Sequence, residues 1–203
     1  MSIFRQPYEH HDHRGGLDSG LTFYLLEKYG KGHLLEQFKG GETLAKIWCK
    51  LEPTNSLGYK GISLTEHADA RHLILPDASF ETVISHPPYW TAIKYSENPN
   101  DLSTCGSYDI FMKEFSKTLD EGVRVLACGG YFIVVVGDIR KNKVYYPLHS
   151  DIIQYMKKYD GVKLVDIIIW ELSSSSTPFI STQWMLMGNF CLIFKKEMNE
   201  LPW

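Results

Sequence analysis

The chain lacks the features of a membrane protein, of a disulfide-rich secreted domain and of a strongly basic nucleic-acid-binding module. No apolar run in its 203 residues approaches the length of about 18 that spans a bilayer, so we expect no membrane partner. Residues 1–16 contain no apolar segment typical of a secretory signal. The four cysteines lie far apart, with no paired metal spacing, which indicates reduced thiols and a cytoplasmic protein.

The formal net charge of −3 gives no support to binding of a phosphate backbone, although it does not exclude it. The few basic clusters, such as Arg-Lys-Asn-Lys at 140–143, are typical of solvated loops or helix ends. Apolar residues make up 44% of the chain and charged residues 22%, as in ordinary globular proteins. The length is sufficient for one domain with a hydrophobic core and is short for two such domains. We therefore expect a single domain over residues 1–203, with a flexible N-terminal arm at 1–16.

Two histidine-containing or repetitive segments carry little chemical information. His-Asp-rich residues 10–13 contain metal-ligand types, but such a segment is more often a flexible loop, and we predict no metal site. The serine run at 173–176 indicates a loop.

Strand-like and helix-like segments alternate along the chain, which predicts an α/β domain with a mainly parallel sheet. Helices are predicted at 21–30, 42–51, 107–126 and 148–161, and strands at 33–38, 59–64, 81–85 and 129–138. The strand at 129–138 is apolar nearly throughout, which predicts burial on both faces. Two further strands, 162–172 and 187–196, have no helix between them. They predict an antiparallel C-terminal hairpin and thus a mixed sheet.

The segment Glu-Thr-Val-Ile-Ser-His-Pro-Pro-Tyr-Trp, at 81–90, is a strand that runs into an unusual turn. Ligands of open α/β sheets bind beyond the carboxyl ends of strands. Pro87 and Pro88 stiffen the backbone and lack N–H donors, so carbonyl acceptors remain, while Tyr89 offers a face for stacking. This combination suits a planar group bearing NH₂, such as adenine, cytosine or a carboxamide. The alternative is that the prolines only end the strand and that Tyr89 and Trp90 pack on the core.

The surroundings of this turn resemble the class I S-adenosylmethionine-dependent amino methyltransferases, specifically the N4-cytosine/N6-adenine DNA methylase family. Motif IV of that family is Asp, Asn or Ser, then Pro-Pro and an aromatic residue, at the end of the fourth strand. The similar segment, 76–148, adds Tyr-Ser and Asn-Asp-Leu-Ser in a loop, a long helix, and a Gly-Gly strand that ends in Gly-Asp. Weaker similarity extends the resemblance to about 15–196. It implies a Rossmann-like class I methyltransferase fold, S-adenosylmethionine as cofactor and DNA as partner.

The upstream half is similar to motif I of the family, Leu-Asp-Pro-Phe-x-Gly-Ser-Gly-Thr, which cradles the methionine part of the cofactor. The resemblance implies cofactor contacts by Glu36, Phe38, Gly40, Gly41 and Thr43, with Ser63 at the ribose position and Asp69 facing the adenine. The match is partial, because Glu36 replaces Asp, Gln37 replaces Pro, Gly41 replaces Ser and Glu42 replaces the second Gly. Ser63 also stands where the family has an acidic residue. A side chain at Glu42 predicts a steric conflict, since only glycine lets the backbone approach a ligand without a Cβ.

The same resemblance assigns roles around the turn. The catalytic residues would be His86, Pro87, Pro88 and Tyr89, and the substrate contacts Trp90, Tyr95 and Asp138. In the family the first side chain of motif IV accepts a hydrogen bond from the target amino group. Neutral His86 can accept whereas protonated His86 can only donate, so activity is expected to fall on the acid side. Other interpretations stay open: His86 as a strand cap, Tyr95 as a packing residue and Asp138 as a turn cap.

The implied reaction is transfer of the methyl group of S-adenosylmethionine to adenine N6 or cytosine N4 of a flipped base. His86 matches neither the Asp common in adenine enzymes nor the Ser common in cytosine enzymes, so the target base stays open. Only the short segment 173–184 is free for target recognition, which suggests a homodimer or a separate specificity subunit. The alternatives are methylation of RNA or of a protein glutamine, and a catalytically inactive methyltransferase-like subunit.

Overall fold

The computed structural model describes residues 2–5, 16–51, 58–64, 68–171 and 184–197. Within them the strands are β1 (Ser2–Arg5), β2 (Leu34–Gln37), β3 (Tyr59–Gly61), β4 (Phe80–Ser85), β5 (Leu126–Lys141), β6 (Val144–Tyr146), β7 (Val162–Glu171) and β8 (Trp184–Lys196). The helices are α1 (Ser19–Tyr29), α2 (Thr43–Leu51), α3 (Tyr108–Val125) and α4 (Leu148–Met156). In this described part of the chain, no helix is both long and apolar enough to cross a membrane.

The strands form one mixed sheet in the order β1-β7-β8-β5-β4-β2-β3, with β6 on β5. Strands β3, β2, β4 and β5 are mutually parallel. Strand β8 lies antiparallel between β5 and β7. The predicted parallel core with an antiparallel C-terminal hairpin is therefore confirmed, and the predicted elements recur with shifted ends.

The N-terminus departs from the prediction of a flexible arm over 1–16. Ser2–Arg5 pairs in parallel with Ile168–Glu171 of β7, so these residues belong to the sheet edge. Four residues are too few for a periodic pattern, and the partner strand lies near the other end of the chain. The histidine-containing segment 10–13 and the serine run 173–176 lie outside the described residues.

The central strand β5 is buried on both faces, as its sequence predicts. Phe132, Ile133, Val134, Val135 and Val136 all have no exposed surface. Alternate side chains point to opposite faces of a strand. One set packs with residues of α3 and α4, and the other set packs with residues of α1 and α2. The sheet is thus covered by helices on both sides, which leaves its strand ends as the places for a ligand.

Side-chain caps fix where two helices begin. The Asp18 carboxylate accepts the Leu21 N–H at 2.9 Å at the start of α1. The Ser107 hydroxyl accepts the Ile110 N–H at 3.2 Å at the start of α3. Such caps satisfy backbone donors that have no partner inside the helix. The chain enters these helices and α2 from loops at the carboxyl edge of the parallel strands, where a cavity opens.

Candidate active site

A cavity of about 470 Å³ lies beyond the carboxyl ends of β2 and β4. Its volume is within the range of small-molecule sites. It brings together all seven residues predicted to contact a cofactor, namely Glu36, Phe38, Gly40, Gly41, Thr43, Ser63 and Asp69. His86, Pro88 and Tyr95 line the same cavity. Two segments far apart in sequence, the turn after β2 and the turn after β4, therefore share one wall.

The turn after β2 reverses the chain before α2. Phe38 has a positive φ of 65°, and the Lys39 N–H donates to the Ile62 carbonyl at 2.7 Å. Thr43, the first residue of α2, lines the cavity. The N-terminus of a helix presents N–H groups without intrahelical partners and favours a negatively charged group. The turn therefore offers donors for a carboxylate.

The steric conflict predicted at Glu42 is not found. The Glu42 side chain is 58% exposed and its carboxylate lies 3.0 Å from Lys39 Nζ. It is not part of the cavity wall, and a Cβ built on Gly40 would meet no atom within 4 Å. Glu42 therefore places no side chain in the cavity wall, although a second glycine is missing.

Glu36 supplies a buried carboxyl group to the cavity wall. It is 8% exposed, and it accepts a hydrogen bond from the Tyr59 hydroxyl. Burial raises the pKa of Glu36 to about 7, and the Tyr59 bond opposes that rise. A carboxyl group with such a pKa can both donate and accept near neutral pH.

Asp69 is held by Arg71, a residue that sequence reasoning did not assign to the site. Arg71 Nη2 donates to Asp69 Oδ2 at 2.7 Å, and its Nη1 donates to Glu114 at 2.8 Å. Burial alone would raise the pKa of Asp69, but the hydrogen bonds from Arg71 outweigh burial and lower it. The cavity thus contains a fixed, ionised acceptor that suits an amino group. In the sequence, the spacing Asp69-x-Arg71 was the feature that could have indicated this ion pair.

Two buried oxygens at neighbouring strand ends have no hydrogen-bond partner within the described residues. They are Gln37 Oε1 and Ser85 Oγ. Gln37 and Ser85 face each other in the register of β2 and β4. Gln37 Nε2 donates to the carbonyl of Thr118, which lines the cavity. Unpaired buried polar atoms are costly and point to a water or ligand that satisfies them.

The motif after β4 forms a hydrogen-bonded pair of rings. His86 Nε2 lies 3.0 Å from the Tyr89 hydroxyl, and the ring centroids are 5.6 Å apart in an edge-to-face arrangement. Burial raises the pKa of Tyr89, so its hydroxyl keeps its proton. His86 and Pro88 reach the cavity. Pro87 and Tyr89 stand beside them in the same turn but do not line it.

Trp90 packs in the core rather than at the cavity. It is 4% exposed, and its indole N–H donates to the Cys105 carbonyl at 2.8 Å. Its ring contacts Tyr108 and Tyr146 edge-to-face. The structure therefore agrees with the packing alternative for Trp90 and does not place it as a substrate contact.

The loop that carries Tyr95 is built around a buried aspartate. Tyr95 is 50% exposed and lines the cavity, and its backbone N–H donates to Ser103 Oγ at 3.1 Å. Asp101 accepts from Ser96 Oγ at 2.9 Å and from the Ser103 N–H at 2.8 Å. Asp101 also lines the cavity. Sequence reasoning missed Asp101, although Asp before Leu-Ser is a capping pattern.

Asp138 is fully buried and serves to join structural elements. It accepts from His149 Nδ1 at 2.7 Å, from the His149 backbone N–H at 3.1 Å and from the Tyr145 hydroxyl. The His149 ring stacks on Phe190 at a centroid distance of 4.1 Å. Asp138 thus ties the end of β5 to β6 and α4, and it is not among the residues of the cavity wall. Asp138 lies inside β5, paired with Gly188, so the structure places it neither at the cavity nor in a turn. Among the described residues, no group of His, Cys, Asp or Glu is arranged to hold a metal ion.

Comparison with known proteins gives matches of family and of fold. A family described as DNA methylase, of the N6/N4 methyltransferase type, matches residues 80–202, more than half of the chain. Type II methyltransferase M.MthZI of Methanothermobacter thermautotrophicus is 30% identical over 148 residues, which cover 61% of this chain and 41% of that protein. Type II methyltransferase M.SfiI of Streptomyces fimbriatus is 36% identical over 69 residues, which cover 34% of this chain and 16% of that protein. The chain spans less than half the length of these relatives.

Among solved structures, loganic acid methyltransferase with SAH superposes with a TM-score of 0.54. It is 8% identical, and the match covers 89% of this chain and 92% of that one. At this identity the likeness concerns the fold alone. The mixed sheet described above is the fold of a class I methyltransferase.

Proposed function

The chain belongs to the N6/N4 DNA methylase family, and from that premise we propose that it transfers the methyl group of S-adenosylmethionine to an exocyclic amino nitrogen of DNA, adenine N6 or cytosine N4. The observation that carries the proposal is the shared cavity wall. His86 and Pro88 of the motif after β4 line the same cavity as Phe38 and Thr43 of the motif after β2. A site for an NH₂-bearing base thereby adjoins a site for a cofactor.

The residues of the cavity fit S-adenosylmethionine, which supplies an electrophilic methyl group when bound. The N–H groups at the start of α2, beside Thr43, suit its carboxylate. The ionised Asp69, fixed by Arg71, suits an amino group. The unpaired oxygens of Gln37 and Ser85 lie at the carboxyl ends of β2 and β4. Ser63 lines the cavity at the position assigned to the ribose.

On the substrate side, this chain's residues would position the base. Neutral His86 accepts a hydrogen bond from the target NH₂, and the Pro87 carbonyl is a second acceptor. Tyr95 would contact the flipped nucleotide from the exposed loop, whereas Tyr89, which does not line the cavity, could stack on the base only if the turn moved it toward the cavity. The amino nitrogen would form the new N–C bond as the sulfur–methyl bond breaks, with S-adenosylhomocysteine as the leaving group, and would then lose one proton to neutral His86 or water. Orientation of the two reactants would supply most of the rate gain.

Target choice and assembly are part of the same proposal. A homodimer or a separate specificity subunit would supply sequence recognition, because the sequence offers only a short segment for that task. A cytoplasmic location follows from the proposed substrate and from the dispersed cysteines.

The test is methyl transfer from radiolabelled S-adenosylmethionine to duplex DNA, single-stranded DNA, RNA and a glutamine-containing peptide. His86→Ala is the informative variant. His33→Ala is its matched control, because His33 lies at the opposite, amino end of β2. We expect labelled DNA with the wild type and the control, and a loss of about 100-fold in His86→Ala with cofactor binding retained.

Each other outcome changes the conclusion in a defined way. Label on RNA or on the peptide instead of DNA would assign the site to that substrate. No label on any acceptor, with cofactor binding intact, would identify a catalytically inactive methyltransferase-like subunit.

A further inference from the structure

Strand β5 extends well past the cavity edge. Its pairing with β4 ends where Ser85 meets Val134, yet β5 continues to Lys141. At about 3.3 Å per residue, residues 135–141 reach roughly 23 Å beyond the end of β4. Strand β6 turns back along this extension, pairing Lys141 with Val144 and Ile139 with Tyr146. The two strands form a hairpin over 139–146 at the edge of the sheet that carries the site, with β8 paired to the other side of Ile139–Lys141.

The hairpin is basic in an otherwise acidic chain. Residues 139–150 contain three Lys or Arg residues and no acidic one, whereas the whole chain has a formal charge of −3. Arg140 and Lys143 are exposed. Other arginines of this protein, such as Arg71 and Arg124, are paired with carboxylates. Within the described residues, neither Arg140 nor Lys143 forms an ion pair. Their charges are therefore not neutralised there by a carboxylate and could bind an anion.

The turn itself keeps a lysine at an unfavourable backbone position. Asn142 and Lys143 have positive φ angles of 51° and 67°. A two-residue hairpin with both φ angles positive favours Asn followed by Gly, because glycine has no Cβ to clash. The chain has lysine where glycine would stabilise the turn. A residue held against its backbone preference suggests a functional reason for the side chain.

Contacts at the base of the hairpin attach it to the motif IV turn. Lys141 Nζ lies 4.1 Å from the centroid of the Trp90 ring and 3.1 Å from Thr91 Oγ1. Tyr146 packs against the same indole with a centroid distance of 5.2 Å. Trp90 directly follows Tyr89. The exposed charges of the tip are therefore held at a fixed place relative to His86 and Tyr89.

We propose that the hairpin over 139–146 binds the phosphate backbone of the DNA that presents its base to the site, through Arg140 and Lys143. This inference rests on the proposed function, since it names the surface that holds the same substrate. Phosphate contacts position a duplex without reading its sequence. The hairpin thus fixes where the DNA lies and leaves the choice of target sequence to other parts of the protein.

The experiment measures binding of a fluorescent 30-base-pair duplex across a series of salt concentrations. Each neutralised phosphate contributes about 0.9 to the slope of log K against log salt. In Arg140→Gln/Lys143→Gln the slope should fall in magnitude by about 1.8, equally for duplexes of different sequence. The matched control is Lys157→Gln/Lys163→Gln, which removes two exposed charges at the opposite edge of the sheet and should leave the slope unchanged.

A second variant separates binding from folding. Lys143→Gly removes one charge but suits the positive φ, so it should raise the melting temperature while it lowers the slope by about 0.9. In methyl-transfer assays the double variant should raise KM for DNA and leave kcat unchanged. A slope that equals that of the wild type in both variants would overturn the inference alone. Failure of the wild type to bind any duplex would overturn the proposed function together with it.

Discussion

The Nε2 atom of His86 lies 3.0 Å from the hydroxyl oxygen of Tyr89. His86 and Tyr89, the proposed acceptor and the proposed stacking ring, therefore hold each other in place through this contact. Burial raises the pKa of Tyr89, so its hydroxyl keeps its proton and its oxygen can accept from the imidazole. The proposed role of neutral His86 therefore requires its hydrogen on Nε2, which donates to the Tyr89 oxygen, so that Nδ1 is the acceptor for the target NH₂.

The first prediction concerns that bond. Tyr89→Phe keeps the ring and removes the hydroxyl, so the His86 ring loses this hydrogen bond. A neutral hydrogen bond contributes about 1 kcal/mol, so kcat for methyl transfer should fall roughly fivefold, with cofactor affinity unchanged. Steady-state kinetics on duplex DNA would measure this. If kcat remained at the wild-type value, the pair would have no positioning role.

The second prediction concerns the acid side of the pH profile. Protonated His86 has no acceptor for the target NH₂, so kcat should decrease as the pH is lowered and His86 gains a proton. His86→Asn supplies an amide oxygen that accepts and does not titrate, and Asn occurs at this position in the family motif. The variant should keep activity and lose the acidic decline. An unchanged decline in His86→Asn would assign it to another group.

The third prediction concerns the cofactor end of the cavity. Asp69→Ala removes the acceptor fixed by Arg71, and hydrogen bonds to charged groups contribute about 1.5–3 kcal/mol. The dissociation constant of S-adenosylmethionine and of S-adenosylhomocysteine should rise by roughly tenfold or more, as measured by calorimetry. Asp77→Ala is the control, because the Asp77 side chain is 77% exposed and pairs with Arg124 away from the cavity. Equal affinities in the two variants would remove Asp69 from the site.

The fourth prediction follows from the raised pKa of Glu36. Burial raises it from 4.5 to about 7. Between these values the folded state binds the proton and the unfolded state does not, so the free energy of unfolding decreases as the pH rises. A shift of this size corresponds to about 3 kcal/mol, lost progressively from pH 4.5 to pH 7. Above pH 7 this contribution no longer changes.

Glu36→Gln should therefore be more stable than the wild type at pH 8 and similar to it near pH 5. Glutamine keeps an oxygen to accept the Tyr59 hydroxyl and has no charge to desolvate. Urea unfolding at pH 5, 6, 7 and 8 measures the difference. Glu97→Gln, at a side chain that is 89% exposed, should follow the wild type throughout. A constant difference between Glu36→Gln and the wild type over this range would contradict the assigned pKa.

The sequence was most informative where local patterns decide the structure. The apolar run of β5 predicts burial on both faces, and the consecutive side chains from Phe132 to Val136 are inaccessible to solvent. The caps of α1 and α3 are also visible as Asp18 and Ser107. The resemblance assigned cofactor contacts to the turn after β2 and catalytic residues to the turn after β4, and residues of both turns line one cavity.

Contacts between distant residues were beyond these patterns. The pairing of Ser2 with Ile168 joins residues far apart in the sequence, so no local sequence pattern predicts it. The burial of Trp90 depends on Tyr108 and Tyr146 from α3 and β6. The role of Asp138 depends on His149, which β6 and the start of α4 bring back to the end of β5. In each case, contacts between residues distant in the sequence determine where the side chain lies.

The most direct test of the central claim is the identity of the methylated atom. DNA treated with the protein and isotopically labelled S-adenosylmethionine is digested to nucleosides, which are separated and analysed by mass spectrometry. We expect label in N6-methyladenine or N4-methylcytosine, strongly reduced when His86→Ala replaces the wild type. Label in 5-methylcytosine, or unlabelled nucleosides from a folded protein that binds both cofactor and DNA, would contradict it.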